Sequence, residues 1–176
     1  MSKPKWTADD VEIAVTKFLD PRKNLIIPNV SWGFFKWHEA DILVIRPSMW
    51  AAEIEIKVSR QDIKKDLDKK HHHKDKRIRE LWFAVPEELS DDENIPACAG
   101  IISVSEHRGR RFCKRKRLPV ADKSARKITA AEQETLLRLS YFRVISLKEK
   151  LQGYRARLRD CREEISSLRK RAAPGS

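Results

Sequence analysis

The spacing of apolar residues changes several times along the first part of the chain, and each spacing predicts an element. Val11, Ala14, Val15 and Phe18 return at the three-and-four interval of one helical face. Thr7 followed by Asp10 supplies a capping box at the start of that helix, and Pro21 closes it. Residues 25–27 and 30–35 are short strand candidates separated at Pro28. Residues 41–45, DILVI, read as a buried strand from their branched side chains. Residues 53–58, EIEIKV, alternate strictly, with Ile54, Ile56 and Val58 on one face and Glu53, Glu55 and Lys57 on the other. Ser59 and Asp62 then open a second helix with another capping box, carrying Ile63 and Leu67 one turn apart. Residues 81–85 and 101–104 predict two more strands, and 111–120 a last, basic edge strand. The order of helix, three strands, helix and two or three strands predicts an α/β layout around one mixed sheet.

From residue 129 onward the pattern is helical alone. Leu137, Val144, Leu147, Leu151, Tyr154, Leu158, Cys161, Ile165 and Leu168 fall on alternating a and d positions of a heptad, with Ser140 the one polar member. From Val144 to Leu168 the spacing of three and four never slips, and the positions between are charged. Thr129 and Glu132 supply the start signal, and Pro174-Gly175 ends the run. The predicted organisation is therefore a domain over 1–120, a polar linker at 121–128, a coiled-coil helix over 129–171 and a disordered tail at 172–176. A stripe this narrow suits another helix better than a sheet, so a homo-oligomer, a dimer through residues 137–168, is expected.

Composition narrows the function. Lys and Arg total 38 against 26 Asp and Glu, a formal charge of +12 that draws the protein to polyanions, nucleic acid first. A hydrophobic fraction of 40% is too high for a fully disordered chain. No apolar run approaches the roughly 20 residues of a membrane helix, and the opening MSKPKWTADD has no apolar core behind its lysines, so neither a membrane span nor a signal peptide is expected. Cys98, Cys113 and Cys161 are odd in number and lack C-x-x-C spacing, which speaks against a disulfide framework or zinc site and for a reducing, cytoplasmic compartment. The chain lacks G-x-G-x-x-G and the P-loop motif, so a nucleotide site is not supported.

The alternating strand is where chemistry is expected. Two acids and a lysine on one face are costly beside a core, because each charge needs a partner or water. Cross-strand ion pairs on an exposed sheet face would explain them, but a third acid, Asp41, opens the preceding strand. The short connection RPSMWAA brings the two strands side by side, with Asp41 near Glu55. Two carboxylates and a backbone carbonyl suit Mg²⁺, a hard ion that prefers oxygen ligands and keeps several waters. A lysine two residues past the carboxylate can orient a water and offset charge building on a phosphate.

Basic residues flank this strand. The following segment holds Arg60, Lys64, Lys65, Lys69, Lys70, Lys74, Lys76 and Arg77, and residues 107–117, HRGRRFCKRKR, include Arg110, Arg111, Lys114, Arg115, Lys116 and Arg117. Two such clusters around one acidic site predict salt-sensitive contacts to a phosphate backbone without base readout. Trp37 and Trp50 are candidates for stacking on bases, whereas Trp82 is expected in the core. His71, His72 and His73 are consecutive and fan over about 200° of a helix, so they do not converge on one ion.

Asp41, thirteen intervening residues and then Glu55-Ile56-Lys57 resemble the D…(D/E)-x-K signature of the PD-(D/E)XK nuclease superfamily. The longer runs HEADILVI, AEIEIKVSRQDIKKDLDKK, LWFAVPEEL and IPACAGIISV resemble the MmcB-like DNA-repair nucleases and related phage proteins of that superfamily, over about residues 7–120. The resemblance implies a restriction-endonuclease-like core of helix, three strands, helix and strand. It implies a DNA nuclease dependent on Mg²⁺, with Mn²⁺ a substitute, acting in repair, recombination or phage DNA processing. Asp41, Glu55 and the Ile56 carbonyl would hold the metal and Lys57 would be the catalytic lysine. Glu12 is the nearest match to a further acid that many members carry on the first helix, and is equally an ordinary helix charge. Glu53 would stand behind the ligands or form a surface ion pair. The residue before Asp41 is Ala40 rather than Pro, and Glu39 would replace Asp41 if the strand slipped by two. Two other readings are a non-catalytic DNA-binding or scaffold protein that keeps the nuclease fold, and a tail-driven oligomer that recruits a partner protein.

Overall fold

A computed structural model of the protein describes residues 6–31, 34–35, 39–67 and 75–172. The elements follow one another as α1 (Ala8–Phe18), β1 (Leu25–Val30), β2 (Ala40–Ile45), β3 (Ala51–Ile56), α2 (Arg60–Leu67), β4 (Ile78–Pro86), a 3₁₀ turn at Glu87–Leu89, β5 (Gly100–His107), β6 (Arg110–Arg117) and α3 (Ala130–Ala172). The α/β fold with a mixed sheet is the one the sequence predicts. The six strands lie in sequence order across one sheet. The β3–β4 and β4–β5 pairs are parallel and the other three antiparallel. None of the described helices is long and apolar enough to cross a membrane.

Local chemistry explains most of the boundaries. The Thr7 hydroxyl accepts from the Asp10 amide at 3.2 Å and the Asp10 carboxylate accepts from the Thr7 amide at 3.1 Å, closing the expected box at the start of α1. At α2 the Ser59 hydroxyl accepts from the Asp62 amide at 3.1 Å and donates to its carboxylate at 2.7 Å. Pro28 does not break β1: it lies opposite Ile42 within an edge strand, where a missing N–H is tolerated, and Asn29 beside it takes a left-handed φ of 52°. The β5–β6 hairpin turns on Arg108 and Gly109, whose φ values of 51° and 73° give the twist such a two-residue turn requires.

Two expectations are corrected and one alternative is removed. The strand expected over residues 30–35 does not continue past Val30: Ser31, Phe34 and Phe35 lie outside any strand, and the Phe34 and Phe35 amides donate to the Ser31 carbonyl. Both phenyl rings are buried there, edge to face, beneath the Arg77 guanidinium. Burying aromatic area with a cation above it outweighs their preference for extended backbone. Second, residues 121–128 are not a free linker. The Asp122, Arg126 and Ile128 amides donate to the carbonyls of Arg79, Lys76 and Met49, and Ile128 and Leu136 are buried, so the first compact unit runs to Leu136 and the second begins at Leu137. Hydrogen bonds to main-chain carbonyls leave no periodicity in the sequence, which is why the segment reads as a linker. The alternative of an exposed face on β3 falls away, since all six of its residues are buried.

The reason is the position of β3 between β2 and β4, with apolar layers on both faces. Ile42, Val44, Ala52, Ile54, Ile56, Trp82, Ala84, Ile102 and Val104 form one layer with Val11, Ala14 and Val15 of α1. On the other face Phe83, Val85 and Ile101 pack with Ile63 of α2, Leu89 and Ile95. Ile63 is fully buried, worth about 1.5–3 kcal/mol. It is the residue that fastens α2 beside the β3 terminus.

Gly100 lies opposite Trp82 in the β4–β5 ladder, and a methyl group there would stand 2.5 Å from the indole. The ring cannot easily yield, because its Nε1–H donates to Glu80 at 3.1 Å. Gly100→Ala is expected to lower stability by about 1–3 kcal/mol through overpacking. A urea midpoint unchanged from the parent protein would show that the ring moves freely.

Candidate active site

The β2–β3 hairpin sets the central geometry. Arg46 and Trp50 close it through a 3.0 Å main-chain bond, and the ladder pairs Leu43 with Glu53 and Ile42 with Ile54. One step further Asp41 falls opposite Glu55. There the Asp41 carboxylate replaces a main-chain acceptor, taking the Ile56 N–H at 2.7 Å. In an extended residue N–H and C=O point to the same side, so the Ile56 carbonyl also faces β2. Asp41 and the Ile56 main chain thus meet at the strand terminus. Glu39 lies outside β2, exposed.

Glu55 and Lys57, two residues apart, share a face, and the Lys57 ammonium donates to Glu55 Oε2 at 2.6 Å. The pair is deeply enclosed: Glu55 is 1% exposed and Lys57 7%. The Lys57 amide donates to the Ala84 carbonyl at 3.1 Å, and the ammonium lies 5.9 Å above the centre of the Phe83 ring. Phe83 is the neighbour of Glu55 in β4, so the next strand supplies both a main-chain anchor and a π face for the lysine. Phe83 was missed in the sequence. Its only signal is its position in the strand after the motif, and register decides that.

Burial and neighbouring charges act together on Glu55. Burial pushes the Glu55 carboxyl above its ordinary range, and the charges of Asp41 and Glu53 push it the same way. Lys57 pulls it down without reversing the shift. Glu53 is wholly buried between Leu43 and Leu81, which removes the surface-ion-pair reading of that residue. Glu12 is half-buried on α1, and the sheet lies between that helix and the face carrying Asp41, Glu55 and Lys57.

The donor set fits a hard divalent ion. Among the described residues no three His, Cys, Asp or Glu side chains gather as a group able to hold a metal. Two carboxylates and one carbonyl nevertheless match Mg²⁺, which leaves most of its positions to water and phosphate oxygens.

The basic clusters separate in space. Arg60, Lys64 and Lys65 are exposed on α2, with Arg60 3.8 Å from Asp92. Lys69, Lys70, Lys74, the three histidines and Trp37 lie outside the described residues. In β6, Arg111 pairs with Asp10 of α1 and Arg115 lies 5.1 Å above the Phe18 ring, on the face away from Glu55. Lys114 stands opposite Ser103, on the Phe83 side of the sheet. Lys116 reaches Glu87 at 3.5 Å, and Arg117 donates to the Pro96 and Ala99 carbonyls. Arg110 is exposed at the hairpin. A strand alternates its side chains, so a basic run along it divides between two faces. Trp82 is in the core as expected. The Arg79 guanidinium covers the Trp50 ring at 4.1 Å.

Glu55 gives a test in pH. Unfolded, it titrates near 4.5; folded, it titrates higher. Between those values the native state holds more protons, so this contribution to stability is present below 4.5 and lost as pH rises through the folded value. Thermal melts without divalent ions are expected to show that loss, and Glu55→Gln to remove it. Parallel pH profiles for the two proteins would contradict the assignment.

No protein-family model matches the sequence, and no curated protein matches it. Among solved structures, the fold is similar to a protein of unknown function from Silicibacter pomeroyi, with a TM-score of 0.60 and 16% identity over 86% of this chain and 92% of that one. At that identity the likeness concerns the fold alone.

Proposed function

We propose that the protein is a Mg²⁺-dependent DNA nuclease, with Mn²⁺ an effective substitute, working in the cytoplasm in DNA repair, recombination or phage DNA processing. The observation that supports this reading is a pair of bonds at neighbouring strand ends: Lys57 bonds Glu55 at 2.6 Å, and Asp41 bonds the Ile56 amide at 2.7 Å. These are the residues of the D…E-x-K signature, in a mixed sheet preceded by one helix and followed after β3 by another.

Asp41, Glu55 and the Ile56 carbonyl would hold the ion. When bound, Mg²⁺ would polarise a phosphoryl oxygen and acidify a water. Lys57 orients the attacking water and offsets charge on the phosphate, and the buried Glu55 carboxylate keeps that ammonium in place. Hydrolysis forms one bond from water oxygen to phosphorus and breaks the bond to the leaving sugar oxygen. Among the described residues, Arg60, Lys64, Lys65 and Lys114 would hold the DNA backbone near this face, whereas Arg111, Arg115 and Arg117 are engaged within the protein.

One observation favours the second reading, a DNA-binding or scaffold protein without turnover. Glu55 and Lys57 are almost wholly enclosed, leaving Asp41 as the half-buried member that solvent reaches. The two readings separate in a cleavage panel on duplex, nicked, branched and single-stranded DNA. The nuclease is expected to cut with Mg²⁺ or Mn²⁺, and Asp41→Asn and Lys57→Ala to slow cutting about 100-fold or more with circular dichroism unchanged. Full activity in Lys57→Ala, or salt-sensitive binding with no cleavage of any substrate, would overturn the nuclease reading.

A further inference from the structure

The second compact unit, from Leu137, carries an apolar seam of about half-exposed side chains. Leu137, Val144, Leu147, Leu151, Tyr154, Leu158, Ile165 and Leu168 are each 48–58% exposed on one helix. Between Val144 and Leu168 the seam runs about 36 Å at 1.5 Å per residue. An apolar strip of this length is unusual on a protein surface unless it meets a partner. Gly153 lies within the same helix in open space, and a mid-helix glycine costs about 1 kcal/mol relative to alanine. Such a helix gains most of its stability from packing its apolar stripe.

The positions beside the seam indicate what covers it. With Leu137, Val144, Leu151, Leu158 and Ile165 at a, the g positions are Arg143, Lys150, Arg157 and Glu164. The e positions are Tyr141, Lys148, Arg155 and Arg162, and all eight side chains are exposed. Six of the eight are cations, and the Arg157 guanidinium already leans over the Tyr154 ring at 4.7 Å. Self-pairing in parallel would set Arg143 against Lys148, Lys150 against Arg155 and Arg157 against Arg162, because g faces e of the next heptad. Antiparallel self-pairing centred near Tyr154 sets Lys150 against Arg157 and Lys148 against Arg162, and only Arg143 meets Glu164. Either homodimer gathers like charges along both flanks.

A flat anionic surface fits less well than a helix. A stripe repeating every 3.5 residues drifts by about 20° per heptad around a straight helix, so it stays in contact only with a partner that supercoils with it. Duplex DNA offers the flanking cations phosphates but the leucines nothing apolar.

We propose that α3 docks a different protein through a heterotypic coiled coil, and that the partner helix carries apolar a and d positions flanked by Asp or Glu at e and g. Like charges would then act against self-association and select that partner. The expected self-dimer through residues 137–168 gives way to a complex of two unlike helices.

The test uses the full chain and a synthetic four-heptad peptide with Leu at a and d and Glu at every e and g. Sedimentation equilibrium is expected to show a monomer alone and a one-to-one complex with the peptide, about tenfold weaker or more at 0.5 M than at 0.05 M salt. A scrambled peptide of equal charge should not bind, and Leu151→Ser with Leu158→Ser should abolish binding while circular dichroism retains the helix. Arg143→Glu, Lys150→Glu and Arg157→Glu together should turn the full chain into a dimer, since each g–e contact becomes attractive. A parent dimer dissolved by the two serine substitutions would overturn the proposal. So would peptide binding indifferent to those substitutions, or failure of the peptide to bind while the helix transfers to phosphatidylglycerol vesicles. None of these readouts depends on DNA cleavage.

Discussion

The site depends on an ion pair that the sheet holds almost out of water. Lys57 and Glu55 sit on or just beyond a central strand, where alternation puts them on one face and neighbouring strands remove solvent. In low dielectric each charge needs the other. Burial raises the Glu55 carboxyl, and the charges of Asp41 and Glu53 push it the same way while Lys57 pulls it down. Much of the surrounding architecture keeps this arrangement fixed. Asp41 caps the Ile56 amide, Ala84 accepts from the Lys57 amide, Phe83 underlies the ammonium, and Ile63 fastens α2 beside the turn that follows.

The distribution of cations follows a different rule. A charge of +12 suggests one extended basic surface, yet strand geometry divides β6 between two faces. Arg111 and Arg115 are spent on α1, and Arg117 supports the loop before β5. Among the described residues, what remains near the acidic cluster is a smaller set on α2 and β6. DNA contacts there would depend on a few phosphates and so on salt. The tail uses its cations in a third way, lining an apolar seam rather than a groove.

Sequence patterns made a large part of the fold legible. Heptad spacing located α3, the Thr7–Asp10 pair located the start of α1, and branched residues located β2. Pro28 looks like a break in β1, and only its place at the sheet edge makes it harmless. The segment after β6 looks like a linker because its ties are main-chain hydrogen bonds, which residue type does not encode.

The candidate site divides along the same line. Local spacing by itself determined that Glu53, Glu55 and Lys57 share one face, because a strand turns its side chains over every second residue. The short hairpin connection further determined that Asp41 comes to lie near them. Only the tertiary structure decided that this face is dry, that Asp41 meets the Ile56 amide, that Phe83 lies under Lys57 and that half of β6 turns away. Burial and cross-strand register arise from which strands become neighbours and what covers them, and those are properties of contacts between distant residues.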